Sequence, residues 1–166
     1  MSKIAVVYGS TTGNTTDAAK AIAKALGGVP AIDVTKATAA DLIAYDALVL
    51  GTSTWGGGDL QDDWEGKLSL LAEAGITGKK VALFGMGDQQ SYCDTYVDGM
   101  GILYDAVVAA GGQVVGFWPT EGYEHTESKA VRDGAFVGLA LDQDNQSDLT
   151  AARIQKWTKS LMEELG

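Results

Sequence analysis

A cluster of hydroxyl side chains follows the first apolar run of the chain. The run Ser10-Thr11-Thr12-Gly13-Asn14-Thr15, called the hydroxyl loop below, carries four hydroxyls, one amide and one glycine. A helix that begins within such a loop offers unpaired N–H groups and the positive end of its dipole to an anion. The loop therefore predicts a phosphate site, in which hydroxyls add donors and Gly13 lets the backbone approach closely.

The hydroxyl loop differs from the two common nucleotide-binding loops. It lacks the Gly-Lys-Ser/Thr sequence that supplies a lysine to a nucleoside triphosphate, and it lacks the Gly-x-Gly-x-x-Gly pattern for a dinucleotide. A single terminal phosphate monoester, held without a cationic side chain, fits this loop best. The alternative is that the hydroxyls only cap the helix, a role for which one serine or threonine is enough.

Two aromatic residues occur among glycines after later apolar runs. Trp55 lies in the segment 51–60, and Tyr92 ends the segment 85–92. Doubly wound sheets bind ligands beyond the carboxyl ends of their strands. At that edge Trp55 and Tyr92 would stack on the two faces of a flat ring, with glycine backbone at the edge of the ring. For either aromatic residue alone, a place in the core or in a turn is the alternative.

The charge balance limits the kinds of partner. The 166 residues include 12 Lys and Arg against 22 Asp and Glu, a net charge of −10, which argues against nucleic acid and anionic membranes as partners. A single cysteine, Cys93, excludes an internal disulfide or a CxxC metal motif, and we find neither a metal site nor a nucleophile–base pair. Without a membrane-spanning apolar run or a signal peptide, we expect a cytoplasmic protein.

Two segments hold much of the acidic excess. Residues 81–128 contain seven carboxylates and no Lys or Arg. The second cluster comprises Asp59, Asp62, Asp63 and Glu65. A general solubility surface is one explanation, but both segments adjoin the aromatic loops, so we interpret them as the rim of the ligand site.

Apolar runs alternate with helical patterns along the chain. The continuous runs 4–8, 47–50 and 81–84 are typical of strands buried on both faces of a parallel sheet. Helical patterns separate or follow the apolar runs, at about 18–26, 64–74, 98–110 and 150–165. The alternation predicts an α/β fold, a doubly wound parallel sheet with helices on both sides, in a single domain over residues 1–166.

One polar segment interrupts the alternation. The apolar run 114–118 is followed by mostly polar residues 119–135 and then by a second apolar run, 136–141, with no helical pattern between them. This arrangement predicts one edge strand split by an insertion of about 119–135. His125, the only histidine, lies in this insertion, and we expect it at the surface.

Taken together, these segments resemble the flavodoxins, and the insertion resembles that of their long-chain members. The resemblance covers essentially the whole chain and is highly specific. It is carried by Val6-Val7-Tyr8-Gly9-Ser10, Thr15, Thr54-Trp55, Asp63-Trp64-Glu65, Gly87-Asp88-Gln89, Tyr92 and Gly138-Leu139-Ala140-Leu141-Asp142. It implies a three-layer α/β/α sandwich around a five-stranded parallel sheet in the order 2-1-3-4-5, with the insertion in the last strand, and non-covalently bound FMN.

The resemblance also implies a role for each site residue. Trp55 and Tyr92 would stack on the isoalloxazine ring, and Asp88 would accept a hydrogen bond from ring N3–H. The Gly56-Gly57 peptide would face ring N5, and because glycine tolerates positive φ, it would turn over easily and favour the neutral semiquinone. The phosphate would be bound by Ser10, Thr11, Thr12, Gly13, Asn14 and Thr15, and further contacts would come from Thr52, Ser53, Thr54, Gly87 and Gln89.

The function implied is that of a low-potential one-electron carrier. It would shuttle between the semiquinone and hydroquinone forms of FMN without turning over a substrate of its own. Its partners would be redox proteins with basic docking surfaces: a reductase as donor, and nitrogenase or a biosynthetic enzyme as acceptor. We expect a monomer. The alternative is an FMN-dependent NAD(P)H or quinone reductase on the same fold.

Overall fold

A computed structural model describes residues 3–11, 13–55 and 58–165 of the chain. The strands are β1 (Ile4–Tyr8), β2 (Ala31–Asp33), β3 (Ala47–Trp55), β4 (Asp59–Leu60), β5 (Lys80–Met86), β6 (Gln113–Val115), β7 (Trp118–Pro119), β8 (Val131–Arg132), β9 (Ala135–Phe136) and β10 (Leu139–Leu141). The α-helices are α1 (Asn14–Ala25), α2 (Ala39–Ile43), α3 (Asp62–Glu65), α4 (Ser69–Glu73), α5 (Asp98–Ala109) and α6 (Ser147–Leu165).

A parallel sheet forms the centre of the molecule. Its strands lie in the order β2-β1-β3-β5-β10, so the chain reverses its direction of winding between β1 and β3. Strand β1 is paired on both sides, with Val6 opposite Ala31 of β2 and opposite Val49 of β3. The strands β1, β3 and β5 are almost fully buried where they pair, which accounts for their continuous apolar sequences. The predicted fold class and strand order are confirmed.

The fifth position of the sheet is shared by two strands. Strand β6 pairs in parallel with the first half of β5, placing Val114 opposite Val81. Strand β10 pairs in parallel with the second half, placing Ala140 opposite Gly85. The edge strand is therefore split, as the two apolar runs predicted.

The residues between the two halves form a small sheet of their own. Strands β7, β9 and β8 pair in that order, antiparallel, with Trp118 opposite Phe136 and Arg132 opposite Ala135. Trp118 and Phe136 were expected in the split edge strand and instead belong to this second sheet. Their apolar character comes from burial within the second sheet, because an apolar run does not reveal which sheet it joins. We call residues 116–138 the inserted sheet.

The third strand is longer than the apolar run predicted. Residues 51–55 were interpreted as a loop, but they continue β3, and β4 turns back to pair with its end, placing Trp55 opposite Asp59. The predicted helix over about 64–74 is also wrong, because it is divided into α3 and α4. Helix α3 ends at Glu65 with Gly66 as its C-cap, and Lys67 N–H bonds to the carbonyl of Trp64 in a tighter turn.

Helices cover both faces of the central sheet. Helices α1 and α6 contact each other and the strands on one side, and α5 contacts β3, β4 and β5. Trp64 and Trp157 are buried in this core. Within the described residues, no helix is both long and apolar enough to cross a membrane.

Candidate functional site

The hydroxyl loop connects the end of β1 to the start of α1. Gly13 precedes the helix with φ of 99°, a left-handed conformation that glycine adopts without strain. Its N–H donates to the Ser10 hydroxyl oxygen at 3.1 Å, so this serine shapes the loop rather than capping the helix. In the described part of the loop, no side chain caps α1, which leaves first-turn N–H groups available to an anion.

A buried glutamine connects the hydroxyl loop to the next site segment. Gln61 is 1% exposed, and its Nε2 donates to the Thr11 hydroxyl at 3.2 Å. Its Oε1 accepts from the N–H groups of Asp63 and Trp64 at 3.1 and 3.3 Å, which caps α3. Gly9 leaves room for this side chain, because a Cβ there would collide with Gln61 Oε1.

A cavity lies where the ends of β1, β3, β5 and β10 meet. It encloses about 140 Å³. Its lining residues are Asn14, Thr15, Ser53, Thr54, Trp55, Met86, Gly87, Asp88, Tyr92, Gln143 and Asp144. The lining places polar groups beside aromatic rings, as sites for small molecules do.

Two large aromatic side chains at this cavity are exposed rather than packed in the core. Trp55 is 40% exposed and Tyr92 is 49% exposed. The indole N–H of Trp55 donates to the Ser53 hydroxyl at 2.8 Å, which fixes the orientation of the indole ring. Exposed aromatic rings that line one cavity are suited to stack on a flat ligand.

Helix α5 holds the end of β3 in place. Gly99 N–H donates to the Thr54 hydroxyl oxygen at 2.8 Å, and a Cβ on Gly99 would lie 2.7 Å from the carbonyl oxygen of Ser53. Only glycine permits this approach between helix and strand. The Thr52 hydroxyl is buried and donates to the carbonyl of Ser53, so its role is internal to the strand end.

The carboxylate of Asp88 is held in one orientation. Its Oδ1 accepts from the N–H groups of Gln90 and Ser91 at 3.1 and 2.9 Å and from Asn145 Nδ2 at 2.8 Å. Burial raises the pKa of Asp88, but hydrogen bonds from Ser91, Asn145 and Gln90 outweigh it, and the net pKa is below the usual range. Asp88 is therefore ionised at neutral pH.

A second carboxylate at the cavity is less readily ionised. Burial raises the pKa of Asp144, and the negative charges of Asp88 and Asp142 raise it further. Among the described residues that line the cavity, none is Lys or Arg. The cavity wall therefore opposes added negative charge.

The inserted sheet is hydrogen-bonded to the loop that carries Tyr92. Glu124 N–H donates to Gln89 Oε1 at 2.6 Å, and Thr126 N–H donates to the Cys93 carbonyl at 2.7 Å. Further along, Lys129 N–H donates to a carboxylate oxygen of Asp98 at 2.7 Å. The segment 124–129 thus lies beside the segment 89–98 and supports it.

His125 is not the surface residue expected from the sequence. It is half-buried against the rings of Tyr96, Tyr123 and Phe136, with centroid distances of 5.6, 6.5 and 5.2 Å. Burial lowers the pKa of His125 because the apolar surroundings disfavour the charged imidazolium. The imidazole completes an aromatic cluster beneath the Tyr92 loop.

The structure brings together most of the residues predicted for the site. Asn14, Thr15, Ser53, Thr54, Trp55, Gly87, Asp88 and Tyr92 share the cavity. Ser10, Thr11 and Gly13 form the adjoining hydroxyl loop, whereas Thr52 and Gln89 are buried away from the cavity. Thr12, Gly56 and Gly57 lie outside the described residues, so the predicted peptide at ring N5 does too.

The site residues that follow β10, at the edge of the central sheet, were not identified from the sequence. Gln143 and Asp144 line the cavity just after β10, and Asn145 bonds to Asp88. A polar segment directly after the apolar run 136–141 is a signal that could have found these residues. Polar and glycine-rich segments of this kind predicted the site at the ends of β1, β3 and β5.

Comparisons with known proteins agree with this geometry. The sequence model of the family described as Flavodoxin matches residues 6–157. A flavodoxin of Synechococcus elongatus is 48% identical, covering 100% of this chain and 99% of that protein, and one of Haemophilus influenzae is 43% identical, covering 99% and 97%. The crystal structure of Fusobacterium nucleatum flavodoxin bound to flavin mononucleotide superimposes with a TM-score of 0.93 at 33% identity, covering 100% of both chains.

Proposed function

The chain belongs to the flavodoxin family, and from that premise we propose that it binds FMN non-covalently and carries single electrons between redox proteins. Flavodoxins are electron-transfer proteins that turn over no substrate of their own. We therefore favour an electron carrier over the FMN-dependent reductase that the sequence left as an alternative. The observation that carries the proposal is the convergence of the hydroxyl loop, Trp55, Tyr92 and Asp88 at one cavity.

The hydroxyl loop suits the phosphate end of FMN. It offers uncapped N–H groups at the start of α1 and hydroxyls from Ser10, Thr11 and Thr15, and we propose Thr12 and Asn14 as further donors. The described loop contains no cationic side chain. These donors match a monoester dianion, because each hydrogen bond to a charged group contributes roughly 1.5–3 kcal/mol.

The cavity suits the isoalloxazine ring of FMN. Trp55 and Tyr92 would lie on the two faces of the isoalloxazine ring, and Asp88 would accept from its N3–H. Ser53, Thr54 and Gly87 would contribute nearby backbone, while Gln89 would act by holding the loop. Buried Thr52 would support the end of β3, and Gly56 and Gly57 would approach the ring through their backbone.

When bound, FMN supplies one-electron redox chemistry, and the chain sets the potential at which that chemistry occurs. Asp88 and Asp144 at the cavity, together with the acidic segment 59–65, oppose negative charge added to the ring. A like charge about 4 Å away costs roughly 1 kcal/mol in water and more where water is excluded. We therefore propose that the second one-electron reduction of FMN has a strongly negative potential.

The same charges bear on partner choice. The chain has a net charge of −10, and the acidic helix α3 follows the hairpin that carries Trp55. We propose that a monomer docks on basic surfaces of a reductase as donor and of a low-potential enzyme as acceptor. Association should slow as ionic strength rises, because salt screens this attraction. Rates independent of salt would contradict electrostatic docking.

A spectroelectrochemical titration of the purified protein tests the proposal. We expect flavin absorption bands and two separate one-electron steps, of which the second lies far below the first. With NADPH and a quinone but no reductase, we expect no turnover. A colourless protein that takes up no FMN, or direct turnover of NADPH, would contradict the carrier function.

A further inference from the structure

A buried carboxylate lies behind the loop that carries Asp88 and Tyr92. Asp142 directly follows β10 and is 0% exposed. Its Oδ2 accepts from Gln89 N–H at 3.0 Å, from Gln89 Nε2 at 2.8 Å and from Asn145 Nδ2 at 2.8 Å, and its Oδ1 accepts from Asn145 N–H at 3.0 Å. Burying a charge is costly unless it is well hydrogen-bonded, and these four donors meet that requirement.

The Gln89 amide cannot turn over to suit a different partner. Its Oε1 accepts from Glu124 N–H at 2.6 Å, while its Nε2 donates to Asp142. A flipped amide would direct NH₂ at the Glu124 N–H, placing two donors against each other. Position 142 therefore has to present an acceptor to Gln89. The position of the loop backbone at residue 89 is in turn set by its hydrogen bond to Asp142.

Asn145 extends this arrangement to Asp88. Its Nδ2 donates to Asp142 Oδ2 and also to Asp88 Oδ1, each at 2.8 Å. The side-chain amide thus joins a buried carboxylate to one at the cavity. No other side chain among the described residues hydrogen-bonds to both carboxylates.

We propose that Asp142 and Asn145 are positioning residues that orient the Asp88 carboxylate, and the backbone beside it, for the edge of the FMN ring. The inference rests on the proposed FMN site and adds two residues that do not bind the ligand themselves. Asp142 fixes the loop through Gln89, and Asn145 fixes the direction of the carboxylate. Because both act at the ring end, their removal should weaken riboflavin and FMN by the same factor.

Asn145→Ala is the sharpest test, because Asn145 is exposed and the substitution leaves every carboxylate in place. We expect riboflavin and FMN each to bind roughly threefold to tenfold more weakly to the apoprotein. This loss is smaller than that of a hydrogen bond made directly to a charged ligand group, because Asn145 acts only through Asp88. Gln146→Ala is the matched control, since that amide bonds to Gly122 and Arg153 instead. The control should bind riboflavin like the unmodified chain.

A double-mutant cycle separates positioning from general loosening. In an Asp88→Ala background, Asn145→Ala should have no further effect on riboflavin affinity, because its target is absent. Additive effects would overturn the proposal. If Asp88→Ala weakens riboflavin binding and Asn145→Ala does not, positioning is refuted while the FMN site stands. If the unmodified apoprotein binds neither flavin, the proposed function itself fails.

A pH profile supplies a readout that loss of packing alone would not move. Asn145 donates to the ionised form of Asp88, while Asp142 and Asp144 are the neighbouring carboxylates. Without this donor the Asp88 carboxylate takes up a proton more readily. As the pH is lowered, riboflavin affinity should therefore begin to fall at a higher pH in Asn145→Ala than in the unmodified chain. An unchanged profile would overturn the inference. Riboflavin is the probe because it has no phosphate group that titrates in this range.

Asp142→Asn tests the buried member of the pair. The substitution keeps the shape but sets an NH₂ group against at least one of the four donors, so we expect weaker binding of both flavins. It also removes a negative charge, so the second reduction potential should become less negative. If Asp142→Asn folds and changes neither affinity nor potential, Asp142 has no positioning role; if it does not fold, Asn145→Ala decides.

Discussion

The hydroxyl loop and the 87–92 loop reach the same cavity through different kinds of contact. In the hydroxyl loop, Gly13 bonds to Ser10 three residues away, and Gln61 adds one hydrogen bond to Thr11. In the 87–92 loop, Gln89 bonds to Asp142, 53 residues away, and to Glu124. Apart from the bond from Gln61, 50 residues away, the hydroxyl loop is thus built by residues adjacent in the chain, whereas the 87–92 loop depends on distant segments.

Because of this difference, the contributions of the phosphate end and the ring end of FMN to affinity can be measured separately. Substitutions in the hydroxyl loop should change the affinity for FMN and leave riboflavin, which lacks the phosphate, unaffected. Substitutions around the 87–92 loop should change both affinities alike. Comparing the two flavins therefore assigns each residue to one end of the site.

Removing the phosphate should have the largest effect. Several hydrogen bonds from the hydroxyl loop would be lost, at roughly 1.5–3 kcal/mol each, and bonds that share one phosphate do not add in full. We expect riboflavin to bind about a thousandfold more weakly than FMN, the equivalent of about 4 kcal/mol. Equilibrium titration of the apoprotein followed by flavin fluorescence measures both constants. Equal affinities would show that the loop binds no phosphate.

A single buried hydroxyl should account for part of that difference. Thr15 is 2% exposed, and Thr15→Val replaces its hydroxyl with a methyl group of similar size. We expect FMN affinity to fall roughly ten- to a hundredfold and riboflavin affinity to stay constant. Thr16→Val, one residue further along α1, is the control and should change neither constant. A loss shared by both flavins would place Thr15 at the ring end.

Removing one stacking ring should have a smaller effect that both flavins share. Tyr92→Ala should weaken each flavin by roughly threefold to tenfold, in line with the contribution of an aromatic pair. The ring is 49% exposed, so the free energy of unfolding should change little. Phe117→Ala removes a ring that is 44% exposed and lies outside the cavity, and it should leave both affinities unchanged. Undiminished flavin binding by Tyr92→Ala would exclude stacking.

The smallest effect concerns stability on the inserted-sheet side. Burial lowers the pKa of His125 below its usual 6.5, so the unfolded chain takes up a proton that the folded chain resists. The free energy of unfolding should therefore decrease as pH falls below about 6.5. His125→Gln should flatten this part of the profile, as measured by urea unfolding between pH 5 and about 8. An unchanged slope would mean that the imidazole accepts its proton in the folded state.

The sequence predicted the locally built end better than the other. Strand β1, the hydroxyl loop and α1 follow one another, so residue order alone places Thr15 beside a helix start. Trp55 lines the cavity, but its segment, interpreted as a loop, belongs to β3. Its pairing with Asp59 was not predicted, because the sequence around it has no alternating apolar pattern.

The remaining misses come from long-range contacts. Phe136 continues an apolar run in the sequence, yet it pairs with Trp118 in the inserted sheet, and periodicity cannot distinguish the two sheets. Asp142 looks like an ordinary polar residue after a strand. Its importance comes from Gln89 and Asn145, and the first of these partners is distant in the chain.

We propose above all that the hydroxyl loop and the two aromatic rings together hold FMN. The most direct test of this proposal is a fluorescence titration in which apoprotein is added to a fixed amount of FMN. Stacking against Trp55 and Tyr92 should quench the flavin emission, with an end point at one protein per FMN and recovery of emission on unfolding. Emission that persists in excess protein would contradict the claim.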